Sequence, residues 1–170
     1  MRLSRRQLLQ AGVAGSLVLA GGRWLAASRK TLPRPGGLRF LTADEAAVVS
    51  VLAPVLLGIP EVPRAAVVAG VDAAVLSLPR PVQAEVRELF DVLAHPLGRR
   101  WLAGLRDDWR EATPQALSGF LGRWQTSRLA LLRSGFQALH SLIGAAWYGQ
   151  PASWEAIGYR QPQHVMERLP

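Results

Sequence analysis

The chain has 170 residues, 20 of them Lys or Arg against 12 Asp or Glu, and a formal net charge of +8. Six of those basic residues (Arg2, Arg5, Arg6, Arg23, Arg29 and Lys30) lie in the first thirty, which hold no acid; the remainder carries fourteen Arg against twelve acids and needs no nucleic-acid partner to account for it. There is no cysteine, which excludes disulfides and thiolate ligands for zinc, iron–sulfur clusters or covalently attached haem.

Residues 1–30 read as an export leader. Ser4-Arg5-Arg6-Gln7-Leu8-Leu9-Gln10 precedes an apolar run from Ala11 to Gly22. A basic start, a short apolar stretch and small residues after it are the layout of an export signal. The run is about twelve residues, whereas crossing the hydrocarbon core takes about twenty. Gly12, Gly15, Gly21 and Gly22 weaken it further. Ser4, Arg5, Arg6, Leu8 and Leu9 resemble the twin-arginine export motif, and Arg23, Arg29 and Lys30 behind the apolar run suit that pathway. Leu25-Ala26-Ala27 and Ala26-Ala27-Ser28 are both tolerable cleavage sites; an uncleaved leader acting as a loose anchor is the alternative.

Residues 31–40 are rich in Pro and Gly and read as a linker, leaving one domain over 41–170. Thr42-Ala43-Asp44-Glu45 is a capping box, with two acids in the first turn where the helix dipole favours them, and predicts a helix over 43–57 ending near Gly58. Pro54 should kink or shorten it. Pro63 is placed as the first residue of a second helix, 63–78, with Val67, Val71, Ala74, Val75 and Leu78 on one stripe. A third, 81–94, sets Val82, Val86, Leu89, Phe90 and Leu93 against Glu85, Arg87, Glu88 and Asp91 and stops at His95-Pro96. A fourth is expected over roughly 97–111, with Trp101, Leu102, Leu105 and Trp109 opposed by Arg99, Arg106, Asp107 and Arg110.

Thr113-Pro114 caps a fifth helix reaching about Arg123. The longest follows, Thr126 to Trp147, with Leu129, Leu132, Phe136, Leu139, Ile143 and Trp147 recurring at threes and fours. Gly149-Gln150-Pro151 ends it, and Pro151 to Tyr159 forms a short helical corner. No stretch alternates with the period of a strand. The fold class is all-α: a compact bundle of five to seven helices after the leader and linker.

The residues of a catalytic site do not assemble in this pattern. No Gly-x-Gly-x-x-Gly follows a strand, and no phosphate-binding loop occurs. His95, His140 and His164 are far apart, with His140 read as a buried structural histidine. Asp107 and Asp108 are helix neighbours pointing about 100° apart, so they do not share a site. Catalytic, cofactor-binding and metal-ligating residues are all expected to be absent from this chain. The five tryptophans Trp101, Trp109, Trp124, Trp147 and Trp154 are dense for the domain; core packing is the default reading and a partner surface the alternative, with Arg100-Trp101 and Arg123-Trp124 having the chemistry for the latter.

Phe40-Leu41-Thr42-Ala43-Asp44-Glu45-Ala46 and the block from Ala145 to Tyr159, above all Trp147-Tyr148-Gly149-Gln150-Pro151 and Trp154-Glu155-Ala156-Ile157-Gly158-Tyr159, resemble the small-subunit family called gluconate 2-dehydrogenase subunit 3. The resemblance covers roughly a quarter of the domain, and the leader fits it. It implies a non-catalytic accessory subunit. Its partner would be a glucose–methanol–choline-type flavin-dependent dehydrogenase large subunit holding FAD and lacking its own leader, and a multihaem cytochrome c subunit would accept the electrons. The small subunit would carry that folded partner through the twin-arginine translocase to the periplasm or the periplasmic face of the inner membrane. Trp147, Tyr148, Trp154 and Tyr159 are the candidate partner contacts. A free-standing periplasmic helical binding domain is the alternative, and an enzyme resting on His140 or Asp108 the third reading.

Overall fold

A computed structural model describes residues 36–156, with the side chains of Glu155 and Ala156 left aside. The leader residues Ser4, Arg5, Arg6, Leu8 and Leu9, and Tyr159 and His164, lie outside the described residues. Among those described there is no strand; the molecule is an all-α bundle.

Helix α1, Ala43–Leu57, opens on the expected capping box: Glu45 N–H donates to Thr42 Oγ1 at 3.4 Å and Thr42 N–H to Glu45 Oε2 at 2.7 Å. It runs three residues past Pro54 and ends where Gly58 adopts φ 67°, a left-handed conformation that a side chain would oppose. Its sequence is apolar nearly all round, and it accordingly packs against α2 (Arg64–Ser77), α3 (Arg80–Ala94), α5 (Pro114–Gln125) and α6 (Ala130–Tyr148) at the centre of the bundle. Pro63 caps α2 from outside rather than starting it, and Pro81 sits in the first turn of α3, where its missing N–H costs nothing. The closest pairing is α2 on α6. It is set by small residues: a Cβ added to Gly70 would stand 3.0 Å from the Ala146 Cβ and carbonyl oxygen.

The expected fourth helix is broken. A single turn, α4 (Pro96–Gly98), passes into a π-helix, Arg99–Ala103, that ends at Gly104 with φ 71°; a 3₁₀ turn, Trp109–Glu111, follows. The Arg99 carbonyl accepts from Gly104 and, at 3.0 Å, from Leu105. The chain therefore reverses in the middle of the predicted stripe. Leu105 and Trp109 return to the core, and Trp101 and Leu102 are left outside. Trp109 Nε1 donates to the Leu93 carbonyl at 2.8 Å, and its ring meets Phe120 edge-on, as Phe120 meets Trp124. Helix α5 is capped by Thr113 as expected but continues to Gln125, and α6 begins at Ala130 because residues 126–129 form its lead-in, with Leu129 exposed. A last short helix, α7 (Pro151–Ala156), turns off the end of α6.

Two buried carboxylates fasten the chain where it enters the bundle. Asp72, in the middle of α2, accepts the backbone N–H groups of Arg39, Phe40 and Leu41 at 3.0, 2.8 and 2.7 Å. Glu45 holds both carboxylate oxygens 2.7 Å from Arg87 Nη1. The same guanidinium lies 3.7 Å over the Phe40 ring and donates to the Phe40 carbonyl. Arg39 and Phe40, the last residues of the Pro/Gly-rich stretch, are thus bonded to α2 and α3.

Candidate functional site

Three of the four candidate partner contacts, Trp147, Tyr148 and Trp154, lie at the corner between α6 and α7. Gly149 N–H continues the helix to the Ala145 carbonyl at 3.0 Å and Gln150 N–H closes onto Trp147 at 3.0 Å, so the chain turns within two residues. The Gln150 side chain fixes the corner to the bundle by donating to Ala66 O at 3.1 Å and Ala146 O at 2.7 Å. Ser153 is buried, and its backbone N–H and its hydroxyl both donate to the Gln150 carbonyl. Trp154 Nε1 donates to the Tyr148 carbonyl at 2.9 Å. This network satisfies the carbonyls that the end of α6 leaves open.

The corner divides the candidates. Trp147 is 6% exposed and packs in the core with Ile143 and Leu139, so in this conformation it offers no surface to a partner. Tyr148, one residue on, is 48% exposed. Trp154 is half-buried beneath it.

The remaining polar candidates behave structurally. His140 is exposed, contrary to the buried role expected of it, because it falls on the outer side of α6; its ring stacks on Phe136 at 5.9 Å. His95 accepts the Leu97 N–H on Nδ1 at 3.2 Å and caps α4. Asp108 caps the 3₁₀ turn. The Arg110 backbone N–H, with the Arg110 and Arg99 guanidiniums helping, holds its carboxyl below the usual carboxylate range against a smaller opposing effect of burial. Asp108, Arg99 and Arg110 border, with Asp44, a cleft of about 200 Å³ in which two acids and two arginines balance; neither His95 nor His140 lines it. Among the described residues, no group of three or more His, Asp or Glu is placed to hold a metal ion.

Trp101 and Leu102, expected on one stripe with Leu105 and Trp109, are left outside by the break in the fourth helix, as is Leu97. The pairing Arg100-Trp101 was the available signal; Gly104, the residue that reverses the chain, was not distinguishable from a glycine tolerated within a helix.

Comparison with models of protein families, with curated proteins and with solved structures finds no match to this chain.

Proposed function

We propose that this chain is a non-catalytic small subunit that escorts a folded flavin-containing dehydrogenase of the glucose–methanol–choline type through the twin-arginine pathway and remains bound to it on the periplasmic side. The observation that carries the reading is the α6–α7 corner. Within the closing block of the family resemblance, the described residues form a hydrogen-bonded aromatic corner with Tyr148 outward and Trp154 donating to its backbone carbonyl. Rigid aromatics on a fixed backbone are what protein interfaces enrich, because little side-chain entropy is lost on docking. The leader motif at Ser4, Arg5, Arg6, Leu8 and Leu9 supplies the route, and a multihaem cytochrome c subunit would complete the electron path. FAD belongs to the partner in this reading, and the small subunit contributes burial and an export signal.

The test replaces Arg5 and Arg6 with Lys in the native host and follows two proteins. The escort reading expects both this chain and a flavoprotein to stay in the cytoplasm. Arrival of the flavoprotein in the periplasm at its usual level, with this chain retained, overturns it. Tyr148→Asp in an otherwise native chain should leave export of the small subunit intact and reduce the flavoprotein recovered with it.

A further inference from the structure

The helical run Pro96–Ala103 projects three exposed apolar side chains, Leu97 at 53%, Trp101 at 78% and Leu102 at 42%. The π winding is what gathers them. An α-helix advances about 100° per residue, which would leave Leu102 about 140° round from Leu97. A π turn closes between i and i+5 and advances roughly 80° per residue, so with the π winding beginning at Arg99 Trp101 falls close to the direction of Leu97 and Leu102 lies about 80° round from it, all three on one side. The run is also held firmly from behind. Trp124 Nε1 donates to Leu102 O at 3.1 Å and Arg123 Nη2 to Ala103 O at 2.7 Å. A Cβ at Gly98 would lie 1.7 Å from the Val92 carbonyl oxygen, so the turn sits directly on α3. Arg100 lies within the run and Arg106 two residues past Gly104, beside the exposed Asp107; both arginines are exposed and neither forms an ion pair among the described residues, whereas Arg99 and Arg110 are engaged by Asp108.

We propose that this knob is a membrane-surface anchor that seats Leu97, Trp101 and Leu102 in the interfacial layer of an anionic bilayer, with Arg100 and Arg106 at the lipid phosphates. Trp with flanking Arg is the side-chain combination that prefers that layer, its apolar body entering while the charged heads stay at the phosphates. Size and shape favour lipid over protein. The three side chains offer on the order of 300 Å², well short of the about 800 Å² per partner that a stable specific protein interface buries. A fluid interface needs no complementary pocket for a convex knob, and Arg100 and Arg106 against the one exposed carboxylate of Asp107 leave a positive surplus that matches anionic headgroups. Among the described residues no helix is long and apolar enough to cross a membrane, so the contact is with the surface. The assignment stands independently of the escort reading.

The chain has no cysteine, so Leu97→Cys in the full-length protein gives one labelling point for an environment-sensitive fluorophore; Ser77→Cys, exposed at the end of α2 and separated from the knob by the whole of α3, is the control. With vesicles of phosphatidylglycerol and phosphatidylethanolamine, the probe at 97 should shift to the blue and the probe at 77 should not. Adding Trp101→Ser should abolish the shift, and Arg100→Gln with Arg106→Gln should weaken it several-fold. Because every variant keeps the leader, binding by the leader cancels from the comparison. Vesicle binding with an unshifted probe at 97 overturns the proposal. A shift equal on phosphatidylcholine alone overturns the anionic assignment, and a shift that requires an added flavoprotein subunit makes the knob a protein contact instead.

Discussion

Asp72 Oδ1 accepts the backbone N–H of Leu41 at 2.7 Å across 31 residues of sequence, and the same oxygen takes Phe40 N–H at 2.8 Å. A buried carboxylate thereby supplies what the chain entering α1 lacks, partners for amides that precede the first helical turn. Bonds to a charged acceptor contribute about 1.5–3 kcal/mol each. Asp72→Asn keeps the shape but offers one acceptor and turns an N–H₂ toward amides that need one. It should destabilise the bundle by about 2–3 kcal/mol, read as a lower urea midpoint with an unchanged slope. An unaltered midpoint would show that the amides find other partners.

Arg87 performs three tasks on one side chain: it pairs with Glu45, covers the Phe40 ring and donates to the Phe40 carbonyl. Arg87→Met leaves the buried Glu45 carboxylate without its cation, a change that costs about 3–5 kcal/mol where a buried pair is broken from one side. Adding Glu45→Gln should recover part of that loss, since the orphaned charge goes with it. Arg87→Lys should fall in between, as an ammonium cannot fork between the carboxylate and the carbonyl. A double-mutant cycle in thermal or urea unfolding measures the coupling; additive losses would mean that Glu45 and Arg87 act independently.

Asp108 carries a pH prediction whose sign follows from its lowered pKa. A carboxyl whose folded value is depressed stabilises the fold when ionised, fully so above the ordinary aspartate range, and that stabilisation is lost as pH falls through the lower folded value. The stability difference between the native chain and Asp108→Asn should therefore be present at neutral pH and vanish in strong acid. Its size should be small, because the carboxylate is 41% exposed and solvent screens its pairs with Arg99 and Arg110. A difference that grew toward low pH would contradict the assignment.

Much of the fold was legible because punctuation residues state their reasons locally. Thr42 and Glu45, Gly58, Pro96, Thr113 with Pro114, and Gly149 with Pro151 each mark an end through a cap, a missing N–H or a left-handed turn, and the helices begin or stop within a residue or two of them. What stayed hidden is non-local. Trp101, Leu102, Leu105 and Trp109 satisfy helical spacing as well as any stripe, and only the packing of Gly98 under Val92 and the positive φ of Gly104 split them. Asp72 carries no local signal of its role, because the amides it holds belong to residues 39–41, more than thirty positions away in sequence. The candidate site is mixed at single-residue scale: Trp147 continues the apolar stripe of α6 and is buried as that spacing implies, whereas Tyr148, about 100° round the helix, is 48% exposed, and naming both as partner contacts overlooked that difference.

Two glycines on α6 separate packing from propensity. A Cβ at Gly135 would stand 2.6 Å from Trp124 Cζ3 and 3.1 Å from Cε3, and that indole is fixed by its bond to Leu102 O. The ring cannot retreat without breaking that bond and disturbing its edge contact with Phe120. Gly135→Ala should therefore cost about 1–3 kcal/mol despite the better helix former. Gly144 meets nothing within 4 Å and lies in the same helix, so Gly144→Ala should gain about 0.5–1 kcal/mol from reduced backbone entropy in the unfolded chain. Opposite signs in denaturant unfolding are the expected outcome. If both substitutions stabilised, α6 would sit further from Trp124 than its bond to the π turn requires, and the firm backing of the Trp101 knob would be lost with it.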